Sequence, residues 1–275
     1  MNGKKEGGAV KWILIVVSVL FLGVMLVLPL IYVLVTAFGS GIGVFLKAVT
    51  DKYALKSVLL TLEATAFSVI INTIFGLYAA WTITKFSFKG KKVLSALIDL
   101  PLTISPVIAG LIFLLTYGRQ SFIYPYLRYF GIQIIFAVPG VILATVFVTF
   151  PFISREIIPV LNAEGKDEEE AAALMGAKGF YIFRKVTLPH IKWALLYGIV
   201  LCASRAMGEF GAVSVLSGHL RGKTNTMPLH IELLYQGYDF TGAFAVSALL
   251  AAMAVVILIV RNILEHKGKR DGNVR

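Results

Sequence analysis

Residues 12–38, WILIVVSVLFLGVMLVLPLIYVLVTAF, form an apolar run without a charged side chain. About 20 such residues suffice to cross the roughly 30 Å of hydrocarbon in a bilayer as a helix. A secretory signal peptide also places an apolar region after lysines, but that region needs only about 7–15 residues. We therefore expect residues 12–38 to form an uncleaved transmembrane helix.

The composition extends this expectation to the whole chain. Of its 275 residues, 58% are hydrophobic and 15% are charged, whereas about 25% of a soluble domain is charged. The net charge of +11 would suit nucleic acid. However, the basic residues lie at the ends of apolar runs and form no tract, which indicates a lipid bilayer and no nucleic acid. The single cysteine, Cys202, excludes an internal disulfide and a paired-cysteine metal site.

Five further apolar runs are long enough to cross a bilayer. They lie at residues 55–83, 93–117, 135–157, 194–217 and 241–262. Backbone groups in hydrocarbon must be hydrogen-bonded within their own segment, so we expect helices. The sequence thus predicts an all-α membrane protein with six transmembrane helices in one domain, residues 12–262, between an N-terminal segment (1–11) and a C-terminal tail (263–275).

The distribution of lysine and arginine predicts the orientation. With the N-terminus inside, the inner segments carry 18 basic residues and the outer segments carry 7. The positive-inside rule therefore places both termini in the cytoplasm. We expect the end of the tail, EHKGKRDGNVR (265–275), to be solvated and partly disordered.

The longest inner segment, residues 155–193, predicts a protruding elbow of two short helices. The first helix is expected over Lys166–Ala177, where acidic residues crowd the first turn and alanines follow. Glycines provide the turn, and the second helix, Phe180–Val186, is expected to stop before Leu188–Pro189. Composition alone also fits a loop that packs on its own helix ends.

The spacing within this elbow resembles the EAA signature of permease subunits of ATP-binding-cassette (ABC) importers, EAA-x3-G-x9-I-x-LP. The chain departs from that pattern only at Val186, which stands where the family has isoleucine. The other matched positions are Glu170, Ala171, Ala172, Gly176, Leu188 and Pro189. The resemblance implies a MetI-like permease fold with a coupling helix that docks on a separate cytoplasmic ATPase.

The resemblance also implies a role for each matched residue. Glu170 would face a basic group on the ATPase, and Ala171, Ala172 and Gly176 would form a closely packed face. Leu188–Pro189 would set the turn into the fifth span. We expect the neighbouring Glu168 and Glu169 only to solvate the helix.

The similarity covers about residues 12–262 and is greatest to the CysW-type permeases of sulfate/thiosulfate importers. The segments that carry it are LPLTISPVIAGLIFLLTYG (100–118), FVTFPFISREIIPVL (147–161), RKVTLPHIKWALLYGIVL (184–201) and ASRAMGEFGAVSVLSGHLRGKT (203–224). Molybdate/tungstate permeases share a shorter part and provide the alternative substrate. The resemblance implies four kinds of partner: a CysT-type permease, two copies of the ATPase, a periplasmic sulfate-binding protein and the lipid of a bacterial inner membrane. Arg221 and Lys223, in the outer segment, are candidates for docking the binding protein.

The segment SRAMGEFGAVSVLSG, residues 204–218, places Arg205 and Glu209 inside the fifth predicted span. A charge at the centre of a membrane helix costs about 2.5–3.5 kcal/mol, and residues four apart share a helix face. One interpretation is a structural ion pair. The other is that Arg205 supplies positive potential for an anion while Glu209 orients it or takes part in a gate. Gly208 and Gly211 would allow close helix approach or local unwinding.

Two prolines, Pro101 and Pro106, interrupt the third predicted span. Each removes a backbone donor, so the span contains either an ordinary kink or a break that lines or gates a pathway, with Ser105 beside it. Pro151 in the fourth span presents the same two alternatives.

The sequence contains no GxxxxGK[ST] phosphate loop, nucleophile elbow or HExxH motif. We therefore expect no catalytic or metal-binding residue and no cofactor in this chain, with ATP and Mg²⁺ bound by the partner ATPase. A membrane scaffold that uses the elbow only for docking is an alternative of another class. An ion-coupled secondary transporter with Arg205 and Glu209 in its ion site is a further one.

Overall fold

The computed structural model describes residues 6–272, and side chains within residues 10–268. Residues 1–5 of the predicted N-terminal segment and 273–275 of the predicted tail lie outside the described part. Over residues 6–272 there are fifteen α-helices and no strand. The helices are α1 (Glu6–Leu22), α2 (Leu28–Gly39), α3 (Ile42–Val49), α4 (Lys52–Lys85), α5 (Lys91–Thr103), α6 (Pro106–Tyr117), α7 (Tyr124–Tyr129), α8 (Val138–Thr149), α9 (Pro151–Glu164), α10 (Asp167–Leu174), α11 (Gly179–Ile182), α12 (Leu188–Met207), α13 (Gly211–Ser217), α14 (Met227–Gln236) and α15 (Phe240–Gly272). Two π-helical turns, Gly23–Val27 and Phe183–Thr187, join α1 to α2 and α11 to α12.

Six stretches of the described chain are long and apolar enough to cross a membrane. Five are helices, and the sixth is the bent pair α5–α6. The five helical spans are Val10–Gly39, Lys52–Lys85, Val138–Glu164, Gly179–Met207 and Phe240–Gly268. These findings confirm the predicted all-α class and the positions of the apolar runs. The orientation stays a prediction; we call the end of the bundle that carries the elbow inner and the opposite end outer.

Two spans are continuous at positions where the sequence left this open. The helix α15 continues to Gly272, so residues 265–272 of the tail are helical. At Pro151 the alternative of a break is wrong and the ordinary kink remains, because α8 and α9 form one span and Phe150 between them keeps helical dihedrals (φ −55°, ψ −44°). A proline at the first position of a helical segment is tolerated because its missing N–H belongs to a turn that lacks a partner anyway.

Helix α4 is the central element of the bundle. It contributes buried residues to all three hydrophobic clusters, which also draw on α8, α9 and α12–α15. Small residues let the helices approach closely: a Cβ on Gly76 would lie 3.3 Å from Cβ of Ile153. The buried Asn72 donates from Nδ2 to the carbonyl of Val146 at 3.1 Å and to Oγ1 of Thr149 at 2.8 Å. Close packing and interhelical hydrogen bonds are the interactions that associate helices in lipid.

The first span packs differently from the others. In its first half, α1, the described side chains from Val10 to Leu22 are all exposed. Its second half, α2, lies against α15, where the rings of Tyr32 and Phe244 meet edge to face with 5.7 Å between their centroids. Apolar side chains on that surface match hydrocarbon rather than water. The first span is therefore peripheral to the core built around α4.

Candidate functional site

The third span is broken at Ile104–Ser105. Helices α5 and α6 meet there at 109°, and both residues at the junction have extended backbone, with ψ of 134° and 133°. The residue before a proline is driven out of the helical region, and Pro106 then starts α6. The ordinary-kink interpretation is thus wrong for Pro106, whereas Pro101 lies inside α5.

The fifth span is also broken, so the predicted continuous helix over 194–217 is wrong in its second half. Helix α12 ends at Met207 and α13 begins at Gly211. Between them the chain passes through Gly208 and Phe210, and the latter departs from helical dihedrals (φ −121°, ψ −50°). Local unwinding, one of the two roles considered for Gly208, is what the backbone shows. Glu209 consequently lies in the break, not on the face of a helix.

Arg205 and Glu209 form an ion pair across this break. Their Nη2 and Oε2 atoms are 2.9 Å apart, with the Glu209 side chain 1% exposed and that of Arg205 35% exposed. The other carboxylate oxygen of Glu209 accepts from the N–H of Ala212 at 2.9 Å. A carboxylate at a helix N-terminus satisfies a free N–H and suits the helix dipole. Glu209 therefore caps α13, a structural role that sequence spacing did not predict, and leaves part of the Arg205 guanidinium accessible.

The two breaks lie side by side. A Cβ on Gly211, at the start of α13, would be 3.0 Å from Cβ of Pro106 at the start of α6. About one turn further along α6, a Cβ on Gly110 would be only 2.7 Å from the carbonyl oxygen of Ala212. Through Gly211 the structure thus brings the pathway candidate Pro106 close to the segment that carries the candidate Glu209, while the candidate Ser105 is exposed. Interrupted helices of this kind are where membrane transporters place binding sites and gates.

The elbow is shorter and more continuous than predicted. Its first helix, α10, ends at Leu174 rather than Ala177, and Gly176 turns the chain with φ +83°. The predicted stop before Leu188–Pro189 is wrong, because the π-helical turn Phe183–Thr187 joins α11 to α12 in one span, Gly179–Met207. In that turn the N–H of Leu188 bonds to the carbonyl of Phe183. The wider turn accommodates the proline's missing donor, as π-bulges commonly do.

The EAA residues of the elbow divide between two faces. Glu170, Ala171 and Gly176 are exposed, as docking residues should be, but Ala172 is buried against the body of the protein. Among the described residues no ion-pair partner lies within reach of the Glu170 carboxylate. An interaction with a basic group of an ATPase is sterically open to it and stays a prediction.

The tip of the elbow carries an apolar surface that the sequence reasoning missed. Four large side chains there are between 58% and 90% exposed: Leu174, Met175, Phe180 and Tyr181. They flank the Gly176 turn: Leu174 and Met175 precede it and lie outside the candidate membrane spans, whereas Phe180 and Tyr181 follow it at the inner end of the span Gly179–Met207. Exposed apolar patches of this kind mark interaction surfaces. The available signal was the cluster of apolar residues on both sides of a glycine turn in an otherwise charged segment.

The neighbouring glutamates do more than solvate the elbow. Glu169 pairs with Lys85, at the end of α4, with 3.1 Å between Oε2 and Nζ. Its other oxygen accepts from the hydroxyl of Thr187 at 2.6 Å. Glu168 lies 3.4 Å from Nε2 of His190. The expectation that Glu168 and Glu169 are merely solvated is therefore wrong, and Lys85 is a contributor that nothing in its own sequence neighbourhood indicated.

The outer docking candidates Arg221 and Lys223 are both exposed. The Arg221 guanidinium lies 4.3 Å from the centre of the Tyr53 ring, a cation–π arrangement that fixes its position at the outer end of α4. The nearby His230 is buried, and burial together with the positive charge of Arg221 lowers the pKa of its imidazole. Burial thus disfavours a charge on His230, whereas Arg221 and Lys223 present exposed cations at this outer surface.

These features define a multi-span α-helical membrane transport subunit: two interrupted spans meet in its core, and the elbow runs directly into one of them. The comparison with protein families agrees. Residues 72–270 match the family of binding-protein-dependent transport system inner membrane components, and the chain belongs to that family.

Two curated relatives and one solved structure give the similarity in more detail. The chain is 45% identical over 257 residues to the sulfate transport system permease protein CysW of Escherichia coli strain K12, covering 94% of this chain and 88% of the relative. It is also 45% identical over 258 residues to the CysW protein of Synechocystis sp., covering 94% of each. A subunit of a bacterial alginate ABC transporter, solved with an alginate-bound periplasmic protein, superimposes with a TM-score of 0.79 over 95% of this chain and 96% of that chain. At 18% identity that likeness concerns the fold alone.

Proposed function

We propose that this chain is a permease subunit of an ABC importer that carries sulfate or thiosulfate into the cytoplasm by alternating access. The observation that carries the proposal is the EAA-type elbow with an exposed apolar tip, formed by a chain 45% identical to sulfate permeases over 94% of its length. ATP hydrolysis then occurs on a separate subunit, and this chain is not itself an enzyme.

The proposed assembly has this chain beside a CysT-type permease in a bacterial inner membrane. Two copies of an ATP-binding subunit lie below it, and a periplasmic sulfate-binding protein docks above, near Arg221 and Lys223. Support for the lower contact comes from the elbow tip, where Leu174 and Met175 are exposed. The carboxylate of Glu170, also exposed, has no ion-pair partner among the described residues. Support for the upper contact comes from the two exposed basic side chains on the opposite side of the bundle.

In this proposal, closure of the ATPases displaces the elbow. Because the span Gly179–Met207 is one helix, a displacement at its inner end passes to its outer end. That end is the break at Gly208–Phe210, next to the break at Ser105–Pro106. The partly exposed guanidinium of Arg205 there supplies positive potential to a divalent anion, with Glu209 holding it in place.

The test is sulfate uptake in a strain that lacks its own sulfate permease, with the chain co-expressed with its partner permease, ATPase and binding protein. We expect wild-type chain to restore uptake, with excess unlabelled thiosulfate competing strongly and molybdate weakly. Stronger competition by molybdate than by thiosulfate would favour the molybdate/tungstate alternative. Absence of any anion uptake, with all subunits in the membrane, would contradict the proposal.

The docking part of the proposal has its own variants. We expect Glu170→Lys, Gly176→Asp and Met175→Asp to abolish uptake and co-purification of the ATPase while membrane insertion is retained. The matched control is Ile132→Asp, which also places a carboxylate on an exposed apolar position but at the outer side. Retention of the ATPase by all three elbow variants would overturn the assignment of the elbow as its docking site.

A further inference from the structure

A group of charged and polar side chains fixes the elbow to two membrane helices at once. Glu169, on α10, pairs through Oε2 with Nζ of Lys85 at the inner end of α4, 3.1 Å away. Through Oε1 it accepts from Oγ1 of Thr187, in the turn that leads into α12, at 2.6 Å. The Lys85 side chain is 9% exposed and that of Glu169 is 20% exposed. We call this set of three residues, Lys85, Glu169 and Thr187, the clasp.

Two further hydrogen bonds, each from a lysine side chain to a backbone carbonyl, surround the clasp and make its geometry specific. Nζ of Lys85 donates to the carbonyl of Gly165 at 2.6 Å, immediately before α10. In return, Nζ of Lys166 donates to the carbonyl of Lys85 at 2.8 Å. The inner end of α4 and the first turn of the elbow are thus joined by reciprocal bonds. A partly buried charge pair whose remaining polar atoms are also bonded resists separation far more than an exposed pair.

The carboxylates of the two glutamates adjacent to Glu169 make different contacts, so the clasp is not a general property of the charged residues on this surface. Glu170 is exposed without an ion-pair partner among the described residues, and Glu168 is 69% exposed where it approaches His190. Three consecutive glutamates therefore have three environments. Of these three, the middle one is the glutamate that reaches both α4 and the start of α12.

Helix α4 connects the clasp to the outer face of the protein. It is uninterrupted from Lys52 to Lys85. Near its outer end, Oγ1 of Thr61 accepts from the N–H of Met227, which begins α14 in the outer segment. The distance from Thr61 to Lys85 along the helix is about 36 Å at 1.5 Å per residue. A rigid helix fixed at both ends by specific bonds is a physical route by which the two faces can bias one another.

We propose that Lys85 and Glu169 are positioning residues that transmit the state of the outer face to the elbow through α4. This inference rests on the proposed function and adds a second connection to it, beside the direct continuity of the elbow with α12. The clasp keeps α10 in register with α4, so that movement of the elbow moves both helices together. Breaking it leaves docking of the ATPase possible but disconnects α4 from the elbow.

The experiment uses charge reversal in the complete complex, reconstituted with its partner permease and ATPase. Stimulation of ATP hydrolysis by sulfate-loaded binding protein is measured together with sulfate uptake. We expect Lys85→Glu and Glu169→Lys each to lower the stimulation roughly 5- to 150-fold, the usual range of coupling between two sites. The double variant should restore part of it, because the opposite charges face each other again, although the bonds of Lys85 to Gly165 and of Thr187 to Glu169 are not re-formed. ATPase co-purification should stay at the wild-type level throughout.

Glu169→Gln and Glu170→Gln form the matched pair, since they remove the same charge from neighbouring positions. We expect Glu169→Gln to lower the stimulation with the ATPase still bound, and Glu170→Gln to weaken binding of the ATPase instead. If a charge reversal fails to reach the membrane, this milder pair carries the test. Amide hydrogen exchange in α10 gives a readout that needs no substrate, and it should rise in Glu169→Gln but not in Glu170→Gln.

Several results would overturn the proposed role of the clasp. These are wild-type stimulation in the single reversals, failure of the double reversal to restore part of it, or loss of the ATPase from Glu169→Gln. Unchanged hydrogen exchange in α10 of Glu169→Gln would also do so. Failure of the proposed function looks different, because wild-type complex would then show neither uptake nor stimulation by sulfate-loaded binding protein.

Discussion

Replacing Glu209 tests whether its carboxylate holds the broken fifth span in shape. In Glu209→Ala the N–H of Ala212 loses a charged acceptor 2.9 Å away, and such hydrogen bonds contribute about 1.5–3 kcal/mol. The ion pair with Arg205 is lost as well, but that side chain is 35% exposed, so solvent screening reduces this part to about 0.5–1 kcal/mol. Together they predict a loss of about 2–4 kcal/mol of stability.

Glu209→Gln is the informative comparison. The amide keeps an oxygen that can accept from Ala212 but carries no charge, and neutral hydrogen bonds are about half as strong as charge-assisted ones. Because the ion pair with Arg205 is lost as well, we expect a loss of about 1–2.5 kcal/mol for Glu209→Gln, less than for Glu209→Ala. The assay is thermal unfolding of purified protein in detergent, in which Glu209→Ala should melt roughly 5–10 °C below wild type. Equal melting temperatures for Glu209→Ala and Glu209→Gln would refute the capping argument.

Arg205→Gln separates the structural role of the pair from transport. The lost ion pair is partly exposed, so this change should lower stability by no more than about 1 kcal/mol. If Arg205 also attracts the anion, sulfate uptake should fall much further than the stability change accounts for, and its apparent affinity should weaken with it. Uptake and coupled ATP hydrolysis at wild-type levels would leave the pair with a structural role alone.

Three further changes probe the packing that surrounds the site. Asn72→Leu should cost about 1 kcal/mol, since it removes two interhelical hydrogen bonds worth about 0.6 kcal/mol each, and thermal unfolding measures the loss. Gly110→Val should cost about 1–3 kcal/mol by overpacking against Ala212, whereas Gly43→Ala, with nothing within 4 Å, should melt at or above the wild-type temperature. Gly176→Val places a β-branched residue at φ +83°, so sulfate uptake should fall while insertion into the membrane is unaffected; normal uptake would show that the turn tolerates another conformation.

Hydropathy predicted where the spans lie but not where they break. Over residues 93–117 and 194–217 the apolar pattern continues through each break, because a side chain's transfer free energy does not depend on the dihedral angles of its backbone. Local chemistry carries part of the missing information: Pro106 disfavours helical dihedrals at Ser105, and Gly208 allows either close helix approach or local unwinding. What could not be foreseen is that a glutamate in the break would cap the next helix.

For the elbow, the sequence predicts the element itself but not the contacts that hold it to other helices. Local helix and turn signals in residues 155–193 predict its existence, and the resemblance to the EAA signature implies the outward position of Glu170. The partnership of Lys85 with Glu169 links positions far apart in the chain, and a single sequence contains no signal for that contact. Spacing therefore predicts what an element presents outward better than what anchors it.

Anchoring also decides where the protein can move. At the inner end, α10 is bonded to α4 through the clasp, and the turn Phe183–Thr187 keeps α11 and α12 in one helix. At the other end of α12 the regular backbone hydrogen bonding is interrupted between Met207 and Gly211. In the proposed mechanism, a displacement imposed on the elbow would therefore be carried by the stiff parts and absorbed where the helix is already open. Since Arg205 lies in the last turn before that opening, the same movement that rearranges the break would also reposition the guanidinium.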